Sequence, residues 1–551
     1  MKRWVITLAV IVAVVAGGIA AFERYKIYLP GILLELRDPI QPPRTIVWNQ
    51  GPAQSSPGTA KRPPNIVVIL ADDLGYNDIT AGGGGVANGL VPTPNIDSIA
   101  HEGVTFDIAY AANATCSPSR AAILTGRYPT RFGFEFTAVP MSFARSIAAF
   151  GRHNFRPPIY HPENERNLLP VAEEGVPASE ITIAEVLRTR GYHTMHIGKW
   201  HLGEAPALRP EAQGFDESLG FMAGGSMYLP ERDPNVVNSK QDFDPIDRYI
   251  WPNLPYAVQW NGSRRFPPTG YLTDYFADQA VHAIEANRNR SFFLYLAFNA
   301  PHTPLQASRA DYDALSTIPD HRLRVYAAMI RALDRGVGQV LEALRANGLD
   351  DNTLVIFTSD NGGAWYVGLP DINRPFRGWK ATFFEGGVRV PFFLRWPGQV
   401  PAGTHARGPA DHLDIFTTAA AAAGASLPND RTIDGVNLLP FVRAQSQSPP
   451  HDVLFWRSGK YRVVRAGNWK LQISQNPPRI WLYDLQSDPT EHVDLSAQQP
   501  ERVRELHALL DAHDAQMPPP LWRPLIEGPV RIDVPLNVPW SGEQDYIYWS
   551  N

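Results

Sequence analysis

Two short runs set the frame of this chain. Residues 65–70 read Asn-Ile-Val-Val-Ile-Leu and residues 353–357 read Thr-Leu-Val-Ile-Phe, apolar without alternation and rich in β-branched side chains. A strand with one wet face alternates; an unbroken apolar run predicts a strand covered on both sides, hence an α/β fold with a sheet between helical layers. Both runs end in oxygen-bearing residues: Ala71, Asp72 and Asp73 after the first, and Thr358, Ser359, Asp360, Asn361, Gly362 and Gly363 after the second. Ligands of open α/β sheets bind outside the carboxyl ends of the strands, so these two tips can meet in one crevice. Helical patterns over 94–102, from 181 to Gly191 and over 411–424 alternate with strand-like runs at 192–197 and 292–304. After about residue 445 the pattern changes to short alternating strands, then to a helix over 500–516.

Asp72, Asp73, Asp360 and Asn361 together offer hard oxygen donors, which suit Ca²⁺ or Mg²⁺ better than zinc. Taken singly, each acidic pair reads as a turn or a helix cap. The one cysteine of the 551 residues, Cys116, opens the run CSPSRAAILTGR. It cannot form an intramolecular disulfide. Ser117 and Pro118 suit a helix start, and Arg120, four residues on, is predicted to project back toward Cys116 at a positive helix terminus that favours anions. Lys199 and His201, two apart after the 192–197 run, are predicted to share a face, and His302 sits between Pro301 and Pro304, whose rings stiffen its loop. A solvated lysine, a structural histidine and an ordinary loop histidine are the plain alternatives for these three.

The combination is more specific than its parts. Cys-x-Pro-Ser-Arg followed by Leu124, Thr125, Gly126 and Arg127, the segment Gly-Lys-Trp-His-Leu-Gly at 198–203, Pro-His-Thr-Pro at 301–304, Lys380, and Glu-Gly-Gly-Val-Arg-Val-Pro at 385–391 resemble the type I, formylglycine-dependent sulfatases. The resemblance covers roughly residues 65–516. It implies an alkaline-phosphatase-like large mixed sheet flanked by helices, with a smaller antiparallel C-terminal subdomain. It further implies that a formylglycine-generating enzyme oxidises Cys116 to an aldehyde whose hydrate is the nucleophile. In that family Asp72, Asp73, Asp360, Asn361 and the residue at 116 would hold the calcium ion, with Mg²⁺ as the alternative. Arg120, Lys199, His201, His302 and Lys380 would join Cys116 in catalysis, with Lys199, His302 and Lys380 on the sulfate ester. Asp360 would aid attack, His201 expulsion of sulfate, and His302 or Lys380 protonation of the leaving oxygen. Trp379, next to Lys380, departs from the small or basic residues common there. Two other readings stay open: a phosphonate monoester or phosphodiester hydrolase of the same superfamily, and a noncatalytic, membrane-tethered binding protein.

At the N-terminus, Lys2 and Arg3 precede an apolar stretch over residues 4–22, long enough for a membrane span. The expectation is a signal anchor, or a cleaved signal peptide, that places the body in the periplasm or outside. Proline and the Gly/Ser/Gln stretch at 54–58 make 23–64 a linker, followed by a catalytic domain over 65–445, the C-terminal subdomain over 446–516 and a Pro- and Trp-containing tail from 517 that packs on the body. With 50 Lys and Arg against 55 Asp and Glu, the net charge of −5 shows no basic surplus for nucleic acid.

Overall fold

A computed structural model describes residues 2–54, 62–446, 448–542 and 544–551. Its centre is a nine-stranded mixed sheet. In chain order the strands are β1 (Asn65–Asp72), β2 (Val104–Phe106), β3 (His193–Lys199), β4 (Glu217–Phe221), β5 (Gln259–Trp260), β6 (Phe292–Pro301), β7 (Thr353–Ser359), β8 (Phe392–Arg395) and β9 (Thr404–Ala406). In space they run β9-β2-β8-β7-β1-β6-β3-β4-β5. The five strands from β7 to β4 are mutually parallel, while β8 and β5 pair antiparallel at the flanks. Every residue of β1, β6 and β7 is buried, as the unbroken apolar runs require.

Alternate residues of β1 face two separate cores. Val67, Ile69 and Ala71 pack with α3 (Pro94–His101) and with two long helices introduced below. Ile66, Val68 and Leu70 pack with α4 (Cys116–Thr125), α5 (Ile183–Arg188) and a late helix. The α5 start carries a capping box, Thr182 with Glu185. Next come α6 (Pro245–Asn253), then α7 (Leu272–Asn287) and α8 (His321–Ala346) on the α3 side, and α9 (Leu413–Ala423), closed by Gly424 at φ +65°, on the α4 side.

The C-terminal part is a four-stranded antiparallel sheet, β10 (Val453–Ser458), β11 (Tyr461–Ala466), β12 (Trp469–Gln475) and β13 (Pro478–Asp484), backed by α10 (Pro500–Asp514). The tail forms β14 (Ile526–Arg531) and β15 (Tyr546–Ser550), joined to a short strand at Ile159–Tyr160. Trp522 and Trp549 are buried, so the tail is part of the packed body.

Before the sheet come α1 (Lys2–Tyr25) and α2 (Leu29–Arg37). The stretch expected to be a linker does not hang free: Gly31 N donates to Asn253 on α6 (2.7 Å), and Trp48 is buried and donates to Gln279 (3.0 Å). The Gly/Ser stretch lies largely outside the described residues. Among those residues, no helix is long and apolar enough to cross a membrane. The α1 side chains at 2, 3, 9, 13, 16, 19, 20, 23 and 24 fall outside that statement. Its described apolar side chains, from Trp4 to Phe22, are exposed.

Candidate active site

Four neighbouring parallel strands, β7, β1, β6 and β3, end at the same edge, and each delivers chemistry there. The register pairs Ala71 with Ser359, which sets Asp72 and Asp73 beside Asp360 and Asn361. Asp360 N donates to Ala71 O (3.0 Å) and Asp73 N to Asp360 Oδ1 (3.2 Å), so the two acidic tips are tied through backbone. Pro301 closes β6 just before His302, and Lys199 is the last residue of β3. The sequence expectation that two oxygen-bearing tips meet is borne out, with two more strand ends added.

The helix that carries the cysteine starts earlier than expected. Cys116 is its first residue, Thr115 its cap position, and Ser117 lies inside with its hydroxyl buried and unbonded rather than capping. Arg120, on the same helix, is held by acids and lies close enough to Cys116 for the two charges to interact. Its guanidinium turns to Asp360 Oδ2 (2.9 Å) and Lys199 O (2.9 Å), with Asp72 Oδ1 at 3.7 Å. A fully buried guanidinium needs carboxylate partners, and two are within reach, so Arg120 braces the acids.

Around Cys116 the groups are close. Lys380 Nζ lies 3.2 Å from Sγ and donates to Asp73 Oδ2 (2.9 Å). Sγ is 3.9 Å from Asp73 Oδ1, and His302 Nε2 is 3.7 Å from Asp73 Oδ2. His302 Nδ1 bonds Thr303 O (2.6 Å), which leaves Nε2 to face the acid. Lys199 Nζ donates to Asp72 Oδ2 (2.7 Å) behind them. His201 is held at φ +59°, with Nδ1 buried and unbonded. A Cβ on Gly224 would lie 2.9 Å from its Nε2, so that glycine is what lets the chain pass over the imidazole. Cys116, His201, His302 and Lys380 face one open cavity, whereas Lys199 and Arg120 lie fully buried beneath.

The electrostatics follow from burial against charge. Burial pushes the Cys116 thiol up, but Lys199 and Lys380 outweigh it and bring it down to about 7. Burial likewise opposes ionisation of Asp73, yet Lys380, His302 and Lys199 hold its carboxyl well below the usual range. Asp360 is raised to about 6 by burial and by Asp72, with Arg120 opposing. Burial works against charge on His302, but Asp72 and Asp73 raise it; burial and the neighbouring Lys199 and Arg120 push His201 well below its ordinary value.

The donor set fits a hard cation. Asp72 Oδ1 and Asn361 Oδ1 are buried and accept no hydrogen bond among the described residues, an arrangement that costs free energy unless something positive faces them. Possible ligand atoms of Asp72, Asp73, Cys116 and His302 lie within 4.8 Å of one another. That cluster brings in His302, which the sequence reading did not place on a metal, while Asp360 is engaged by Arg120.

Sequence reasoning missed Tyr366, whose hydroxyl joins Asp73 Oδ2 (3.0 Å) and Lys380 Nζ (3.1 Å). It also missed His412, buried between Ser119 Oγ (2.9 Å) and Thr358 Oγ1 (3.2 Å) behind α4. Nothing local marks either one. Tyr366 is simply an aromatic shortly after a strand tip, and His412 precedes a helix like many other residues.

Comparison with known proteins agrees with the geometry. A family model described as Sulfatase matches residues 64–425, and one described as N-sulphoglucosamine sulphohydrolase, C-terminal, matches 377–516. Human N-acetylgalactosamine-6-sulfatase is 36% identical over 424 residues, covering 75% of this chain and 72% of its own. Mouse steryl-sulfatase is 31% identical over 599 residues and covers 88% of each. A crystal structure of Ps i-CgsB in complex with k-i-k-neocarrahexaose superposes with TM-score 0.69 at 32% identity, over 84% of this chain and 95% of that one. With its motifs gathered at one sheet edge and a family model spanning most of its length, this chain belongs to the sulfatase family and is a hydrolase of sulfate esters.

Proposed function

We propose that the sulfate ester is cleaved at position 116 by a hydrated formylglycine made from Cys116 by a formylglycine-generating enzyme, with a divalent cation, Ca²⁺ or Mg²⁺, beside it. The observation that carries this reading is the convergence on Cys116 of Lys380 at 3.2 Å and Asp73 at 3.9 Å, next to two buried oxygens that accept no hydrogen bond among the described residues. Asp72, Asp73, Asn361 and the oxygen at 116 would hold the cation, with Asp360 at the edge of the set. When bound, the cation neutralises the anionic ester and lowers the pKa of an oxygen it touches. The hydrate supplies one hydroxyl to attack sulfur and a second whose deprotonation expels sulfate.

The chain's own residues handle charge and protons around that centre. Lys380 reaches the cavity beside position 116, so its ammonium faces the sulfate oxygens and can protonate the departing oxygen. His302 presents Nε2 into the same space and, with its charge favoured by Asp72 and Asp73, is a second donor. His201 is kept neutral by burial and nearby cations, which suits a base. Arg120 and Lys199 hold Asp360 and Asp72 in place from below.

Mass spectrometry of the peptide containing residue 116 tests the modification: side-chain sulfur replaced by an aldehyde oxygen is expected, and an intact thiol in protein from its native host would sink the proposal. Dialysis against a chelator is expected to abolish turnover of p-nitrophenyl sulfate and lower the thermal midpoint, with Ca²⁺ or Mg²⁺ restoring both. We also propose that the N-terminal segment attaches the enzyme to a membrane, with the body on the far side of it. Its support is the exposed apolar surface of α1 preceded by Lys2 and Arg3. Sedimentation with vesicles, with and without residues 1–25, checks this; equal recovery of both forms in the supernatant would overturn it.

A further inference from the structure

The cavity that reaches Cys116 is much larger than a sulfate group needs, about 1180 Å³. Its reactive end is polar, with His201, His302, Tyr366 and Lys380. Away from that end the walls change character. One wall is α2, which contributes Leu29, Leu33 and Leu34 at the spacing of a single helical face. A second is α6 with Ile246, Tyr249 and Ile250, then Leu254 just past its end, and beside it Phe143 and Ile147. The tail closes a third side with Val530, Leu536 and Trp549.

Several of the polar side chains that reach this outer part are bonded to the protein already, although Arg37, Asn154 and Arg156 also line it. Ser142 Oγ bonds Tyr249 OH (2.7 Å), Arg265 pairs with Asp38 (2.8 Å), Arg209 donates to Glu204 O (2.8 Å) and Asn253 to Ile27 O (3.0 Å). Recognition of a sugar needs convergent donors and acceptors left free for hydroxyls, whereas a site lined by aliphatic and aromatic side chains with a few polar groups at one end suits an apolar ligand with a polar head. The first and third walls come from residues 29–34 and 530–549, outside the stretches 64–425 and 377–516 that the family models match. Leu33 and Leu34 remain 47% and 41% exposed, an apolar cost that a ligand lying against them would remove.

We propose that the substrate is an amphiphilic sulfate monoester whose alcohol or phenol is a large apolar body seated between α2, α6 and the tail. The inference rests on the sulfate-ester reading above. Its test compares kcat/KM of the full chain, with residue 116 converted, on four esters: p-nitrophenyl sulfate as a small reference, oestrone sulfate and dodecyl sulfate as apolar bodies, and N-acetylgalactosamine 6-sulfate as the polar rival. At least one apolar ester is expected to exceed the sugar ester by about 100-fold, the scale expected when several methylene-sized contacts discriminate. Leu33→Glu and Leu254→Glu are each expected to lower the ratio of apolar ester to p-nitrophenyl sulfate by tenfold or more. Reading a ratio corrects for any variant that folds in lower yield, and inhibition of p-nitrophenyl sulfate turnover by free oestrone, weakened in the same variants, gives a second measure. Turnover of p-nitrophenyl sulfate with the sugar ester equal or preferred, or ratios unmoved in both variants, overturns the apolar-substrate inference alone. No turnover of any ester removes the sulfatase reading and this inference with it.

Discussion

Tyr366 illustrates how a single atom can matter at this site. Its hydroxyl joins Asp73 and Lys380, two groups whose charges set the field at position 116. Tyr366→Phe removes bonds to both and is expected to lower kcat on p-nitrophenyl sulfate about tenfold with the fold intact, since one hydrogen bond to a charged group is worth about 1.5–3 kcal/mol. Asp78 makes a different prediction. It is fully buried, accepts from Gly75 N (2.7 Å) and Tyr326 OH (2.6 Å), and burial pushes it up to about 8 in spite of those bonds. An unfolded aspartate titrates near ~3.9. The folded state therefore keeps a proton that the unfolded chain has lost over the interval between, so this group's contribution is complete below about pH 4 and is lost as pH rises through about 8. Asp78→Asn, permanently neutral, is expected to lose less stability than the wild type between pH 5 and pH 8, by on the order of a few kcal/mol. Urea midpoints at both pH values check this; parallel pH dependences would contradict it.

At the scale of elements, α4 is the part on which most depends, since its first residue is Cys116 and its third turn ends at Gly126. Gly126 takes φ +66°, and a Cβ there would sit 2.8 Å from the ring of Phe416 on α9. The glycine of the Leu-Thr-Gly-Arg motif is thus required twice, by its backbone angle and by the helix packed against it. Gly126→Ala is expected to cost about 2 kcal/mol or more and to lower the thermal midpoint, because left-handed backbone and a steric contact add. Activity lost in parallel with stability would place the effect in the seating of α4; an unchanged midpoint would refute the packing argument. The early start of this helix shows why local reading misjudged it. Ser117 and Pro118 are good start signals, but the helix already begins at Cys116 after an extended Thr115, and the Lys380 loop ties down the chain just before it through Ala381 N to Ala114 O (2.8 Å).

Over the whole molecule, the catalytic sheet and the C-terminal sheet are joined by a buried charge cluster. Lys470 on β12 reaches Glu385 (2.8 Å) and Glu491 (3.0 Å), all of them almost wholly inaccessible to solvent. Lys470→Met would leave Glu491 buried without its cation and Glu385 with Arg389 alone (2.9 Å), and a loss of about 3–5 kcal/mol is expected, read as a lower denaturation midpoint of the full chain. A variant as stable as the wild type would show that the cluster is not what binds the two parts. The sequence by itself determined a good deal here. The doubly buried strands, the carboxyl-end position of the acids, the late helix ending at Gly424 and the switch to antiparallel strands all follow from local patterns of period and turn chemistry. Asp72, Asp73, Asp360 and Asn361 stand at strand ends that this patterning marks, whereas Cys116, Lys199, His302 and Lys380 were singled out by motifs that resemble those of the sulfatases; the fold gathers all eight around one edge. Only the tertiary structure decided how the cations are partnered: Arg120 meets Asp360 and Lys199 meets Asp72 because buried cations need buried acids, and nothing in their spacing records that. The same holds for Tyr366, for His412 and for the apolar cavity, whose walls come from residues hundreds of positions apart. Contacts across such separations depend on how whole layers pack, and no local period encodes them.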